Sequence, residues 1–216
     1  MYEFLTGAGV WIAFVIFAGG LFVRVASLYG VSRQKDAVFY NHTNALEAFK
    51  SIFFWLIPFG SIAARTQPVF SFMVYLFHVS LILVPLFLSA HNVLLQEAFG
   101  VGLWSIPDGV ADIMTALMLV AGVFLFIRRL VRPEVRILTE IRDYVLLILT
   151  MLPFLTGLLA SLNIGPYKTM VFLHVLSGEI LLILIPFTKL GHMVLFFFTR
   201  AFIGFEMGGR RGARTW

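Results

Sequence analysis

The sequence predicts an all-α integral membrane protein, a five-helix transmembrane bundle with one cytoplasmic interfacial or re-entrant segment, and three observations predict it. Of 216 residues 60% are hydrophobic and only 12% charged, and the mean hydropathy is +0.96. Charge-free runs at 4–23, 66–96 and 144–167 are each long enough to cross a hydrocarbon core of about 30 Å. Basic residues gather between the apolar runs, so the net charge of +5 reflects topology and not a nucleic-acid surface.

The elements are expected in order at about 4–25, 69–95, 107–128, 143–162 and 168–200, all within one membrane domain, 1–216. The first run begins beside Glu3 instead of a basic stretch and carries Gly7, Gly9, Gly19 and Gly20 with no small-residue cleavage site. It reads as a retained anchor, not a signal peptide. Segment 52–64 is apolar but short and holds Pro58 and Gly60. If it crossed, the two arginine-rich loops would face opposite sides, so it is expected to lie on the cytoplasmic surface. The second run contains His78, Pro85 and His91, the third opens on Asp108 and Asp112 and ends on Arg128 and Arg129, and the last contains His174, Glu179, Pro186, Lys189 and His192.

Orientation follows from lysine and arginine. Arg24, Arg33, Lys35, Lys50 and Arg65 fall in the first loop, Arg128, Arg129, Arg132, Arg136 and Arg142 in the third, and Arg200, Arg210, Arg211 and Arg214 in the tail, against Lys168 alone on the other side. The positive-inside bias places the chain in the cell inner membrane with its N-terminus periplasmic and its C-terminus cytoplasmic. Arginines at span ends, Arg65 among them, are mostly such anchors.

There is no cysteine. Disulfides, thiolate-bound iron-sulfur clusters and thioether-linked haem are excluded, and metal chemistry must rest on histidine or carboxylate. Four of five histidines lie inside apolar runs, where an imidazole is costly unless it functions. His174 and His192 are eighteen residues apart, five turns of an uninterrupted helix, which would put both rings on one face about 27 Å apart. The second and fifth spans run antiparallel in this topology, so depth pairs His78 with His192 near the cytoplasm and His91 with His174 near the outside. Each pair suits a haem iron held from both sides, with no open coordination position: electron transfer, not oxygen chemistry. His78 and His91 are thirteen residues apart, roughly 220° in azimuth on an ideal helix, so this pairing requires a distortion near Pro85. His42, in the polar stretch Tyr40 to Asn44, is expected to be an interfacial loop residue.

The stretch Leu173-His174-Val175-Leu176-Ser177-Gly178-Glu179, followed by Ile185-Pro186-Phe187-Thr188-Lys189-Leu190-Gly191-His192, resembles the last span of the respiratory nitrate reductase gamma subunit. The loop from Phe126 through Arg128, Arg129, Pro133 and Arg136, and Phe77-His78, are also similar to that family, which carries two b haems. Its second-span histidines are closer together and it lacks the 52–64 segment. The chain is thus closer to the dihaem membrane cytochromes b of the transmembrane redox complexes of sulfate-reducing bacteria. The resemblance implies two haem b groups ligated by the four histidines; it does not carry over quinol oxidation, which needs matching quinone-site residues, and menaquinone stands as a separate cofactor candidate. The resemblance also implies a cytoplasmic iron-sulfur subunit and a periplasmic multihaem cytochrome c as partners, alongside the lipid membrane itself.

Further candidates come from the residues. Glu179 lies mid-span, where an ionised carboxylate costs several kcal/mol unless paired or protonated, which suggests a proton-conducting or quinone-adjacent role beside a bland one as a hydrogen-bonded carboxyl. Lys189, one turn before His192, and Arg128 are candidates for haem propionates, or else snorkel to headgroups. Asn92, Gln96, Asp108 and Asp112 are candidates to hydrogen-bond a quinone headgroup at the outer boundary. Trp216 ends a basic tail suited to a partner. The expected function is an electron-transfer subunit, not a complete enzyme. The alternative is a proton relay or transporter built on Glu179 and the histidines, although no broken-helix repeat supports it. No His-Glu-x-x-His motif is present to suggest a membrane metallohydrolase.

Overall fold

The computed structural model of the chain describes residues 2–35, 40–41 and 43–214. His42 and Trp216 lie outside the described residues. The described chain is helical, its only β pairing an isolated bridge between Leu88 and Ile106. Among the described residues six helices are long and apolar enough to cross a membrane. The chain divides into two compact units, Glu3–Ser71 with Glu179–Trp216, and Phe72–Gly178.

In the first unit, α1 (Leu5–Lys35) is the longest apolar helix and runs ten residues beyond its expected end. Val15, Phe22 and Val23 along it are exposed, the lipid-facing pattern of a spanning helix. It opens with a wide, π-type turn over Leu5–Gly9. The next helix, α2 (Ala45–Leu56), is capped by the Asn44 side chain, which accepts from the Leu46 and Glu47 amides. At about 18 Å it is too short to cross a hydrocarbon core. A turn holding Phe59 at a φ of 60° leads to α3 (Ile62–Thr66), capped by Ser61.

The C-terminal helix, α10 (Lys189–Arg210), packs on α2. Gly204 makes this approach possible, because a Cβ there would lie 2.5 Å from the Glu47 carbonyl oxygen and 2.8 Å from the Ala48 Cα. Small residues at helix crossings serve this purpose in membranes. One α-helical stretch back, the Arg200 guanidinium lies 4.1 Å from the centre of the Trp55 ring, a cation–π contact between the same two helices.

In the second unit α4 (Pro68–Phe87), α6 (Asp108–Val131) and α8 (Ile141–Ser161) enclose a core of Phe77, Val84, Met118, Ala121 and Phe154. Gly122 lets α8 approach closely, since a Cβ there would meet the Met151 sulfur at 2.6 Å. The short α7 (Pro133–Arg136) joins α6 to α8, and a reciprocal capping box of Glu140 and Asp143 starts α8. The Tyr144 hydroxyl donates to the Arg129 carbonyl at the end of α6.

Two expected spans are interrupted. The run expected at 69–95 is α4 and then α5 (Ser89–Phe99), separated by Leu88 in an extended conformation (ψ 132°). The run expected at 168–200 is α9 (Tyr167–Leu184) and then α10, separated by Ile185–Thr188. His174 and His192 therefore stand on different helices, and the five-turn, single-face arithmetic does not hold. Pro186 is the cause: it has no amide to donate and crowds the preceding turn. The exposed carbonyls find a donor in Arg24 of α1, whose Nη1 lies 2.8 Å from the Pro186 oxygen and 2.7 Å from the Thr188 oxygen. Thr188 then restarts the chain, its hydroxyl accepting from the Leu190 amide.

Candidate functional site

Proline and glycine position His91 and His174. In α8, Pro153 sits inside a helix that remains continuous, and its carbonyl oxygen accepts from His174 Nδ1 at 2.7 Å. Gly157, one turn later on the same face, leaves the space the imidazole occupies: a Cβ there would lie 2.9 Å from His174 Nδ1. On the other side, the helix interruption at Leu88 follows one turn after Pro85, and the Pro85 carbonyl accepts from His91 Nδ1 at 2.9 Å. The interruption itself is held by the 100–107 loop, where the Ile106 amide donates to the Phe87 carbonyl at 2.9 Å.

The result is a pair. The His91 and His174 rings have centroids 5.9 Å apart and planes within 20° of parallel, both in the Phe72–Gly178 unit. A backbone carbonyl only accepts, so Nδ1 of each ring carries the proton it donates. This is the outer hydrogen bond that metal-bound histidines make, fixing the tautomer and raising ligand basicity. Two imidazoles on either side of one metal, with metal–nitrogen distances near 2 Å, have ring centres roughly 6 Å apart, and the separation of this pair matches that.

The other two imidazoles have the same local arrangement. His78 Nδ1 donates to the Val74 carbonyl at 2.8 Å, and its ring lies edge-on to Phe77, with centroids 5.5 Å apart. His192 Nδ1 donates to the Lys189 carbonyl at 2.9 Å, at the head of α10. His78 belongs to the Phe72–Gly178 unit and His192 to the other. In all four histidines Nδ1 thus donates to a main-chain carbonyl.

Glu179 is buried, and its Oε1 has no hydrogen-bond partner among the described residues. It faces the wide turn at the head of α1, where a Cβ on Gly9 would lie 2.7 Å from that oxygen. Wide turns of this kind recur at functional sites. Of the residues expected at the outer boundary, Asn92 is buried next to His91 in sequence, with Nδ2 donating to Ser105 Oγ at 2.7 Å and the Trp104 carbonyl at 3.3 Å, and with Oδ1 lacking a partner among the described residues. Asp108 opens α6 and accepts from the Ser89 hydroxyl, as suits an acid at a helix N-terminus. Asp112 lies one turn further along α6, and Gln96 Oε1 would lie 3.0 Å from a Cβ on Gly102 in the loop that follows α5. Arg128 sits in the last turn of α6, the end that favours a cation.

Pro153, Gly157 and Ser89 were not among the residues expected to serve the site. A proline and a glycine four apart in an apolar helix were the legible signal, because they leave a carbonyl and a gap on one face. Arg24, expected only as a topology anchor, is instead the donor at the α9–α10 break.

No family model matches the chain, and no solved structure matches it. A protein of Nitratidesulfovibrio vulgaris (strain Hildenborough), described only as "Protein", is 43% identical to it over 219 residues, which takes in all of this chain and 97% of the relative. At that identity and coverage the chain belongs to the same family as this Nitratidesulfovibrio vulgaris protein.

Proposed function

We propose that the chain is a dihaem cytochrome b subunit that carries electrons across the inner membrane, between a periplasmic-side donor or acceptor, or the quinone pool, and a cytoplasmic iron-sulfur partner. The observation that carries the reading is the near-parallel His91–His174 pair at 5.9 Å, each ring anchored through Nδ1 to a proline carbonyl. Haem iron held by two imidazoles has no open position and supplies one-electron transfer. His91 and His174 hold the outer haem, and His78 and His192 the inner one. The Pro85 and Pro153 carbonyls orient the outer rings and, by accepting their Nδ1 protons, favour the oxidised metal. Lys189 and Arg128 are the cations assigned to propionates.

The topology that goes with this function has five crossings. The helices from Pro68 to Phe99 and from Tyr167 to Arg210 each count as one interrupted crossing, and 52–64 stays on the cytoplasmic side. This keeps the arginine-rich loops and tail on one side of the membrane, where an acidic iron-sulfur subunit docks. A multihaem cytochrome c is the periplasmic partner. Menaquinone is assigned to the outer boundary, beside Asn92, Asp108 and Asp112. The second reading, a proton relay, is favoured by one observation: the buried Glu179 Oε1 has no hydrogen-bond partner among the described residues.

Single and double alanine variants test the pairing. His91→Ala and His174→Ala are each expected to remove one and the same haem, and the double variant no more. His78→Ala and His192→Ala are expected to remove the other. Retention of both haems by His91→Ala and by His174→Ala refutes the assignment.

A further inference from the structure

The unit formed by Glu3–Ser71 and Glu179–Trp216 also holds a group of charged side chains that electron transfer does not use. A cavity of about 490 Å³ is lined by Lys50, Phe54, Gly60, Arg65 and Arg214. The three cations come from three separate segments: α2, α3 and the C-terminal tail. A smaller adjoining cavity, of about 240 Å³, shares Lys50 and Arg214 and adds Glu47. Glu47 Oε1 is bonded to Lys50 Nζ at 2.7 Å, and among the described residues it is the only carboxylate lining either cavity. Among those described residues three cations against one acid leave an excess of two positive charges around the space.

The wall is shaped, not incidental. Phe59 holds a left-handed φ of 60°, and at Gly60 a Cβ would run into the Phe54 carbonyl, so only glycine fits the turn. Arg65 Nη2 donates to the Gly60 carbonyl at 3.1 Å, which aims the guanidinium across the turn and leaves further donors in its fork for an oxyanion. Converging cations that are not neutralised repel one another, and an anion in the cavity removes that cost. Its neighbours in sequence are apolar and exposed: Phe53, Leu56, Phe59 and Ile62. Arg65 stands three residues before α4, a helix long enough to cross a membrane, so the cavity lies at headgroup depth.

We infer that the cavity bounded by Lys50, Arg65, Arg214 and the Gly60 turn is a binding site for the phosphate headgroup of an anionic phospholipid, with Phe53, Leu56, Phe59 and Ile62 against its acyl chains. Free phosphate shares the headgroup chemistry but makes no use of the apolar rim.

The test is retention of lipid by the full-length protein, purified and delipidated in mild detergent, read by native mass spectrometry with phosphatidylglycerol against phosphatidylcholine. Wild type is expected to retain phosphatidylglycerol preferentially. Arg214→Gln is expected to lower that preference about fivefold, and Arg65→Gln with Arg214→Gln about 25-fold. Arg132→Gln with Arg136→Gln, the same change of charge outside the cavity, is expected to keep it. Arg214 is exposed in the tail, so its single variant leaves the fold intact. Equal retention of the two lipids, an equal loss in the control pair, or displacement of phosphatidylglycerol by millimolar inorganic phosphate each overturns the inference.

Discussion

Gly157→Ala puts one methyl group against the outer imidazole. The new Cβ would lie 2.9 Å from His174 Nδ1 and 3.0 Å from its Cε1, while carbon–heavy-atom contacts are comfortable from about 3.5 Å. The ring must therefore give way by about 0.5 Å, and the 2.7 Å bond from Nδ1 to the Pro153 carbonyl opposes the shift. Breaking that bond in a buried place costs about 1–3 kcal/mol, and an off-rotamer ring costs a further 0.5–1.5 kcal/mol or so. Ligand sites tolerate displacements of only about 0.5 Å. Helix propensity alone would make the substitution favourable by up to about 1 kcal/mol, so the two effects have opposite signs. If the proposed dihaem function holds, the expected result is a folded protein in which the haem held by His91 and His174 is lost or shifted from low spin, with the other haem unchanged, as read by haemochrome content and low-temperature paramagnetic resonance. A Gly157→Ala protein with both haems present and both low-spin signals unaltered refutes the placement of His174 as a ligand at this contact.

Arg24→Gln removes the charged donor from the Pro186 and Thr188 carbonyls, and is expected to lower stability in detergent by about 2–3 kcal/mol, with Arg24→Lys recovering part of it; thermal unfolding reads both. Gly204→Val forces α2 and α10 apart and is expected to cost about 1–3 kcal/mol. Gly19→Val, which meets nothing within 4 Å, is expected to be near neutral in the same assay. Glu179→Gln keeps the shape of the side chain and removes its proton chemistry. Quinone-linked turnover is expected to fall about tenfold or more, and unchanged turnover with unchanged haem potentials disposes of the proton role.

Three prolines interrupt apolar runs, and they show how far the sequence could be read. Each signals a disturbed helix, but the outcomes differ. Pro153 leaves α8 continuous, Pro85 is followed by an interruption at Leu88, and Pro186 sits within the stretch that separates two helices. What decides is the partner that satisfies the released backbone: the Ile106 amide at one break and the Arg24 guanidinium at the other. Both partners are distant in sequence, so no local pattern contains them. Hydropathy and basic-residue bias, by contrast, act locally and made the apolar helices legible. The approach of His91 to His174 was expected from depth only with a distortion near Pro85, and the interruption at Leu88 supplies one. The single-face argument for His174 and His192 failed because it assumed a straight helix through Pro186. The orienting carbonyls and the gap at Gly157 concern main chain and missing atoms, which a search for reactive side chains passes over.

The most direct measurement is the haem content of the full-length protein purified from its membrane. Two b haems per chain by pyridine haemochrome, with a reducible b-type spectrum and low-spin signals from both, is the predicted result. A colourless preparation, fully helical and cooperatively folded, contradicts the account.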